Sequence, residues 1–257
     1  MSLKQVYYFV TEKTDIKSGL KRRRTYIIIT GLLLLFQSGV YCQKQKPKNE
    51  SWYDDKPLHF GFSLGLNTMD FMITPSKEHY EGTGLYPEVS ILNPGINIQI
   101  VSDYRPAKYF DIRFLPGVSF GQRNIRYYQD SVLVNEQQRL ESSFLEFPLL
   151  LKFKGDRLNN VRPYLIGGFN FRYDLAGKKE YDQEKPVYLR LKRPDLYYEL
   201  GAGLDFYLTF FKLSVELKMS TGFRDVLVRD NSVPYPQYAN AIDKLNSRIW
   251  VLSFHFE

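Results

Sequence analysis

The sequence is poor in several features that would define other kinds of protein. It contains a single cysteine, Cys42, and three histidines among 257 residues. A lone cysteine cannot build a disulfide framework and does not supply a cysteine-based zinc site. The longest continuous apolar run, residues 26–36, is shorter than the roughly 20 residues that a membrane-spanning helix needs. These absences exclude a disulfide-rich fold and a helical integral membrane protein.

A general excess of positive charge is also absent. The formal net charge is +7, which by itself would indicate a nucleic-acid or anionic-membrane partner. Residues 1–42, however, hold seven basic side chains and only two acidic ones. The chain from residue 43 onward is therefore close to neutral, and we expect no nucleic-acid partner.

The N-terminus has the composition of an export signal. Basic residues 21–24 precede the apolar run 26–36, which is followed by a short segment ending at Cys42. This order predicts that residues 1–42 are a signal peptide with an extended charged n-region and that the mature chain begins at Gln43. The alternative is a lipoprotein in which Cys42 is lipidated.

Two regions follow the predicted signal. Residues 43–57 are polar and contain two prolines, which predicts a flexible linker. In residues 58–257, apolar and polar residues alternate with a period of two, the pattern of strands with two unlike faces. Eight alternating segments stand out: 60–66, 96–100, 110–120, 145–153, 165–173, 196–206, 211–219 and 250–256. An even number of strands can close as an antiparallel barrel.

The two faces of these segments differ in a way that indicates which one meets lipid. Each apolar face is about five positions long, close to the span of the hydrocarbon band of a bilayer. The polar faces carry equal numbers of acidic and basic residues: Asp103, Asp111, Glu146, Glu199, Asp205 and Glu216 beside Arg105, Arg113, Lys152, Arg172, Lys212 and Lys218. Balanced charges are expected inside and apolar side chains outside. Because an eight-stranded barrel has room only for side chains, we expect a plugged interior without a diffusive pore.

Charged groups inside a barrel need partners because their desolvation is costly. The polar faces therefore predict an interior charge network formed by Asp111, Arg113, Glu146, Lys152, Arg172, Glu199, Asp205, Glu216 and Lys218. A proton or ion relay through the same side chains is the alternative.

The connections between the segments alternate in length. Short ones are predicted at 103–108, at 154–162 and around Thr209, and long ones at 69–94, 123–142, 174–195 and 224–246. Short periplasmic turns and long outer loops are typical of outer-membrane barrels. The predicted fold is therefore all-β, an eight-stranded antiparallel transmembrane β-barrel with four long outer loops. Its last strand has alternating aromatic residues up to Phe256, the kind of strand that the outer-membrane barrel assembly machinery is expected to bind.

Several stretches resemble a known family. Residues 144–153 and 162–168 contain the strand pair E-x-P-L-L-L-K and R-P-Y-x-x-x-G, and 201–205 reads Gly-Ala-Gly-Leu-Asp; these are similar to the PorT family of outer-membrane barrels of Bacteroidetes. Residues 58–67 and 110–122 also resemble PorT proteins of the type IX (Por) secretion system. The resemblance implies a non-enzymatic accessory or scaffold subunit of type IX protein secretion, a process linked to gliding motility, with other secretion-system subunits as partners. A stand-alone structural or adhesion barrel is the alternative.

The residues show little sign of catalytic chemistry. There is no G-x-S-x-G motif, and His59, His79 and His255 fall on a strand start, a loop and the last strand. We expect no catalytic, metal or cofactor site. Outer-membrane lipid and lipopolysaccharide are expected as surroundings and partners.

Two outer loops contain candidate partner-contact residues. Basic and aromatic side chains of the third long loop could contact lipopolysaccharide phosphates, with a solvated loop as the alternative, and two tyrosines of the fourth could contact protein. These candidates are Lys178, Lys179, Tyr181, Arg190 and Arg193 in the third loop and Tyr235 and Tyr238 in the fourth.

Overall fold

The computed structural model of the chain describes residues 48–49, 53, 56–89, 93–129, 132–176, 189–229 and 236–257. The predicted signal peptide, residues 1–42, lies outside these ranges.

Strands dominate the described part of the chain. In order, the elements are β1 (Leu58–Pro75), α1 (Lys77–Thr83), β2 (Leu85–Val89), β3 (Pro94–Ala107), β4 (Phe110–Phe114), β5 (Gly117–Gln129), β6 (Val132–Lys154), β7 (Val161–Asp174), β8 (Arg190–Leu191), β9 (Pro194–Tyr207), β10 (Lys212–Gly222), β11 (Leu227–Val228), α2 (Pro236–Asn240) and β12 (Ile242–Phe256). Among the described residues, no helix is long and apolar enough to cross a membrane.

The strands close into an eight-membered antiparallel ring. Going round it, β1 pairs with β12, then come β10, β9, β7 and β6; β6 pairs with both β4 and β5, these pair with β3, and β3 pairs back to β1. β4 and β5 occupy one position because the strand is interrupted at Leu115 and Pro116, and Pro116 has no N–H to donate to the ladder. The predicted eight-stranded barrel is confirmed.

The predicted faces are found on the ring strands. On β1, Phe60, Phe62 and Leu64 point outward and are exposed, whereas Ser63 and Asn67 point inward and are buried. Because successive side chains of a strand point to opposite faces, the period-two pattern places all apolar side chains of this stretch on the outer surface. That surface matches the apolar band of a membrane barrel.

The strands continue well beyond the predicted segments on the side of the long connections. β1 extends to Pro75, and residues 123–142, predicted as an outer loop, are mostly the paired ends of β5 and β6. The prediction that these two stretches are outer loops throughout was therefore wrong. They are strand extensions that rise above the apolar band, and the remaining connections join their ends.

The apolar residues move from outward to inward positions where the strands leave the band, and we call this the change of phase. On β1, the inward positions change from Ser63 and Asn67 to Met69 and Phe71, while outward Leu66 is followed by Thr68 and Asp70. The period of two is unbroken, so the same strand continues with its apolar face turned inward. Such a reversal is expected where the outer surroundings change from lipid to water.

The extensions enclose a small apolar core that we call the outer cap. Its buried members come from strand extensions, from β2, β11 and α2, and from the connections beside them: Phe71, Leu85, Ile125, Tyr127, Leu189, Val226, Leu227, Tyr238, Ala239, Ala241, Ile242 and Leu245. The cap covers the end of the barrel that carries the long connections. At the other end the ring strands are joined by short turns.

Candidate functional site

The interior of the barrel is the part of the molecule in which the predicted functional side chains meet. All nine residues of the predicted interior network are at most 2% exposed, and their strands turn them into the lumen. The strand register explains the grouping, because inward positions of neighbouring strands lie side by side. The question for each charge is which opposite charge it contacts.

Arg113 is the centre of the cluster near the short turns. It forms a bidentate pair with Asp103 across the β3–β4 ladder, with Nε–Oδ1 and Nη2–Oδ2 distances of 2.7 and 2.6 Å. Its Nη2 also lies 2.8 Å from Oε1 of Glu257, and its Nη1 lies 3.6 Å from Oε2 of Glu216. One guanidinium therefore joins three carboxylates, an arrangement suited to the planar fork of arginine.

Two lysines at the end of β6 complete this layer. Lys152 donates to both carboxylate oxygens of Asp205 at 2.9 Å, and the Ser214 hydroxyl donates to the same carboxylate at 2.6 Å. Lys154 lies 2.6 Å from Oδ1 of Asp111. Each lysine thus meets its own carboxylate, so the charges of this layer are paired locally.

A second layer lies deeper in the lumen around Arg172. Its Nε is 2.9 Å from Oε1 of Glu146, and its Nη2 is 3.0 Å from Oε1 of Glu199. Lys218 lies 2.8 Å from Oε2 of Glu199 and 4.0 Å from Oε1 of Glu216. Buried polar groups complete the layer, since Gln99 and Ser119 donate to Glu146 and Asn170 and Ser220 donate to Glu199.

The structure thus places all nine predicted network residues in contacts with opposite charges, in two layers linked through Glu216. Removing one member of a buried, hydrogen-bonded ion pair typically costs about 3–5 kcal/mol because its partner stays desolvated. The role of the network in holding the barrel closed remains a prediction.

The end of the lumen beside the short turns is closed by a residue from the segment before β1. Tyr53, in the predicted flexible linker, is 6% exposed and its ring stacks on His59 with centroids 3.9 Å apart. Its hydroxyl donates to Oε2 of Glu257 at 2.6 Å and accepts from Lys212 at 2.8 Å. At Tyr53 the segment therefore packs against the folded barrel, in contrast to the flexible linker expected there.

The protonation of Tyr53 fits this arrangement. Burial raises the pKa of its phenol above the ordinary value, and the neighbouring Lys212 opposes that shift. The neutral phenol keeps its proton and can donate to Glu257.

The opposite end of the lumen is filled beneath the outer cap. Arg123 donates to the hydroxyls of Ser142 and Ser247, and its guanidinium stacks 4.4 Å from the Phe71 ring of the cap. It also lies 3.6 Å from Oδ2 of Asp174. Arg123, Asp174 and Ser247 border a space of about 10 Å³, enough for at most one water molecule. The cap and the filled layer below it close this end.

Sequence reasoning left Tyr53, Lys154 and Glu257 outside the network. Lys154 and Glu257 continue the inward alternation of their strands by one step past the predicted segments, so the period-two pattern contained a signal for both. Tyr53 lies outside any strand, and no local pattern indicated its contact.

The predicted partner-contact residues have different outcomes. Lys178, Lys179, Tyr181 and Tyr235 lie outside the described residues, whereas Arg190 and Arg193 are partly buried beside the cap. Tyr238 does not present its ring to the surface, so that prediction was wrong. It is 9% exposed and packs edge-on against the Tyr127 ring, whose hydroxyl donates to the Tyr238 carbonyl at 3.1 Å. Burial of the Tyr238 ring against other apolar side chains stabilises the cap.

Within the described ranges, His, Cys, Asp and Glu side chains do not form a group of three or more that could hold a metal ion. The expected lack of a cofactor stays a prediction.

Comparison with known proteins finds similarity to outer-membrane β-barrels. The family described as "Outer membrane protein beta-barrel domain" matches residues 42–228. Among solved structures, OprG of Pseudomonas aeruginosa is similar, with 13% identity, a TM-score of 0.42 and coverage of 77% of this chain and 93% of that one. Neisserial surface protein A matches at 11% identity and a TM-score of 0.40, covering 78% and 99% of the two chains.

A third solved structure, AlkL in lipid bilayers, matches at 12% identity and a TM-score of 0.38, covering 84% of this chain and 95% of that one. No curated protein matches the sequence significantly.

Proposed function

We propose that this chain, which belongs to the outer membrane protein beta-barrel domain family, is a non-enzymatic accessory or scaffold subunit of type IX protein secretion, with a role in the associated gliding motility. The protein is an outer-membrane β-barrel. The PorT resemblance of residues 144–153 and 162–168 supports the finer assignment to this secretion system.

The observation that carries the proposal is the closure of the barrel at both ends. Paired charges fill the lumen, Tyr53 closes the end beside the short turns, and the outer cap closes the other end. An eight-stranded barrel filled in this way cannot conduct a folded protein or a solute. It would serve secretion through its outer surfaces, by contacting other subunits.

The part above the apolar band offers a surface for such contacts. Tyr86, Tyr128 and Leu133 lie in one transverse row of the β2–β5–β6 sheet. Tyr86 and Leu133 are 45% and 47% exposed. Exposed aromatic and aliphatic side chains in water favour protein–protein contact.

The absence of catalysis is part of the proposal. The buried carboxylates, lysines and arginines of the lumen are engaged with one another. Groups used in this way have no access to a substrate.

Deleting the gene tests the secretion role. The expected result is the simultaneous loss of many proteins from the culture medium and their accumulation in the periplasm, with restoration by the wild-type gene. Release of a periplasmic marker enzyme is measured in parallel to exclude general leakage. Intact secretion with altered adhesion would contradict the proposal and support a stand-alone structural or adhesion barrel.

Co-purification tests the scaffold role separately. The tagged barrel is extracted from outer membranes in mild detergent, and associated proteins are identified by mass spectrometry. We expect secretion-system subunits with the wild type and fewer of them with the double variant Tyr86→Arg, Leu133→Arg. The single variant Thr74→Arg, also exposed above the band, is the matched control. Recovery of the barrel without secretion-system subunits would count against the proposal.

A further inference from the structure

An apolar groove interrupts the outer wall of the barrel beside the short turns. Its volume is about 580 Å³, within the roughly 300–1,000 Å³ of small-molecule sites. Its lining includes Phe153, Tyr164, Leu165, Ala202, Leu217 and Leu252. Its walls come from β6, β7, β9, β10 and β12.

The strand register explains why the wall is indented here. Ala202 lies directly between Leu165 of β7 and Leu217 of β10, so an outward row of large side chains contains one methyl group. Gly203, the next residue, leaves room for the ring of Tyr164, which a Cβ atom at this position would overlap. The result is a depression with large apolar side chains on both sides.

The position of the groove limits what can occupy it. Phe153, Leu165 and Leu252 belong to the outward apolar face, so the groove opens toward the hydrocarbon region. Gly155 lies in the turn between β6 and β7, and this places the groove in the half of the band next to the short turns, the periplasmic leaflet. Only an apolar chain is available there, because water is absent from this region.

Two opposite charges lie in the short turns next to the groove. Lys108 and Asp156 lie next to each other with Nζ and Oδ1 4.0 Å apart, and about three quarters of each side chain is exposed. The turn that holds Lys108 contacts the end of β6, because Lys154 N–H donates to the Tyr109 carbonyl at 2.8 Å. Asp156 directly follows the groove residue Gly155. Both charges therefore lie in short periplasmic turns beside the Gly155 end of the groove, the side of the headgroups.

We propose that this groove is a binding site for one phospholipid of the periplasmic leaflet, with an acyl chain along Ala202 and a zwitterionic phosphoethanolamine headgroup at Lys108 and Asp156. The ammonium of Lys108 faces the phosphate, and the carboxylate of Asp156 faces the ethanolamine amine. A phosphatidylglycerol headgroup would meet only half of this pattern, since it has no cation for Asp156. The site therefore distinguishes the two headgroups.

Native mass spectrometry of the purified full chain tests the site. The detergent-solubilised protein is incubated with equimolar palmitoyl-oleoyl phosphatidylethanolamine and phosphatidylglycerol, and retained lipid is counted per barrel. We expect one retained phosphatidylethanolamine, at least fivefold less with Ala202→Phe, which fills the groove, and about two- to threefold less with Lys108→Glu, the scale of an exposed charge pair. Ala202→Met is a milder substitute should Ala202→Phe fail to assemble.

Ser102→Phe is the matched control. Ser102 is a small outward residue of β3, across the ring from β9, with outward phenylalanines paired on both sides, and this variant should retain lipid like the wild type. Unboiled-gel migration verifies that each variant is folded. Equal retention by Ala202→Phe and wild type would overturn the groove as the site, and equal retention of the two lipids would overturn the headgroup assignment.

Discussion

The membrane-spanning part and the outer cap are built from the same strands with opposite polarity. Below the change of phase on β1, Leu64 points outward to lipid and Ser63 points into the lumen; above it, Phe71 points inward and Asp70 points outward. β12 shows the same reversal, with Leu252 outward below and Leu245 inward above. Backbone pairing continues across the boundary without a change of register until Thr74.

The difference shows what each surrounding medium requires of a strand. In lipid, the outer face has to be apolar, and the interior is stabilised by paired charges and hydrogen bonds. In water, an apolar interior and a polar outer face give the usual hydrophobic stabilisation. The hydrogen-bonded ladder tolerates both, because it does not depend on which face is apolar.

The strongest test removes one charge from the lumen. Glu216→Leu leaves Arg113, Lys218 and His255 without this carboxylate, which lies 3.5–4.0 Å from their nitrogen atoms. We expect a loss of about 3–5 kcal/mol in the free energy of unfolding, seen as lost heat-resistant migration on unboiled gels.

The control for this variant is Glu216→Gln, which keeps the shape and the acceptor for the Tyr164 hydroxyl. It should be less damaging than Glu216→Leu. Unchanged migration of Glu216→Leu would show that the lumen does not depend on its charges.

A cavity in the cap should destabilise the cap locally and leave the stability of the barrel unchanged. Leu245 is fully buried in the cap, and Leu245→Ala is expected to cost about 2–5 kcal/mol of local stability. The measurement is proteolytic cleavage of the outer connections on intact cells, with heat-resistant migration unchanged. Leu133→Ala, at an exposed position, should leave cleavage at the wild-type rate. Parallel loss of cap and barrel would mean that the two parts do not differ in stability.

A charge on the outer face should be harmful only below the change of phase. Leu64→Arg places a cation in the hydrocarbon band and is expected to cost about 2–4 kcal/mol. Thr74→Arg, outward on the same strand above the band, is expected to stay within about 0.5 kcal/mol of the wild type. Folding yield into lipid vesicles of stated composition measures both, and similar yields would refute the assigned position of the band.

The smallest effect concerns a carboxylate beside the cap. Burial raises the pKa of Asp225, but hydrogen bonds from Arg229 and from the backbone N–H groups of Leu245 and Leu227 hold it below the ordinary value. Its stabilising contribution is therefore present above the unfolded value of about 3.9 and is lost as the pH falls through the lower folded value. About a quarter of the Asp225 side chain is exposed and its partner Arg229 is more exposed still, so screening by solvent keeps the loss small.

Amide resonances of Leu227 and Leu245 report this titration. We expect both to shift with a common midpoint below 3.9 and to lose the shift in Asp225→Asn. A midpoint at or above the free-aspartate value would contradict the hydrogen-bonded geometry.

Much of the barrel could be predicted from the alternation of apolar and polar residues, because successive side chains of a strand point to opposite faces. Glu146, Lys152 and Glu216 are on inward positions as the pattern predicted. The strand extensions were missed although residues 68–74 still alternate. In that stretch the apolar side chains are on inward positions. Only a search that allowed the apolar residues to change face would have predicted that β1 continues to Pro75.

Other features depended on contacts between distant residues. Tyr53 closes the lumen through Glu257, which is 204 positions away in the chain, and nothing near Tyr53 in the sequence indicates such a partner. Tyr238 was predicted to contact a protein partner because its loop is rich in proline and tyrosine, yet its ring completes the cap. The groove at Ala202 likewise requires knowing that Leu165 and Leu217 flank it.

The amino-acid order alone determined the number of ring strands, the two faces of each strand and the balance of charge inside, because these follow from a local repeat and from the solvent each face must meet. The tertiary structure decided which charge pairs with which, where the strands change phase and how both ends of the lumen are closed. Those outcomes depend on register and curvature around a closed ring, which bring together side chains that no local pattern connects.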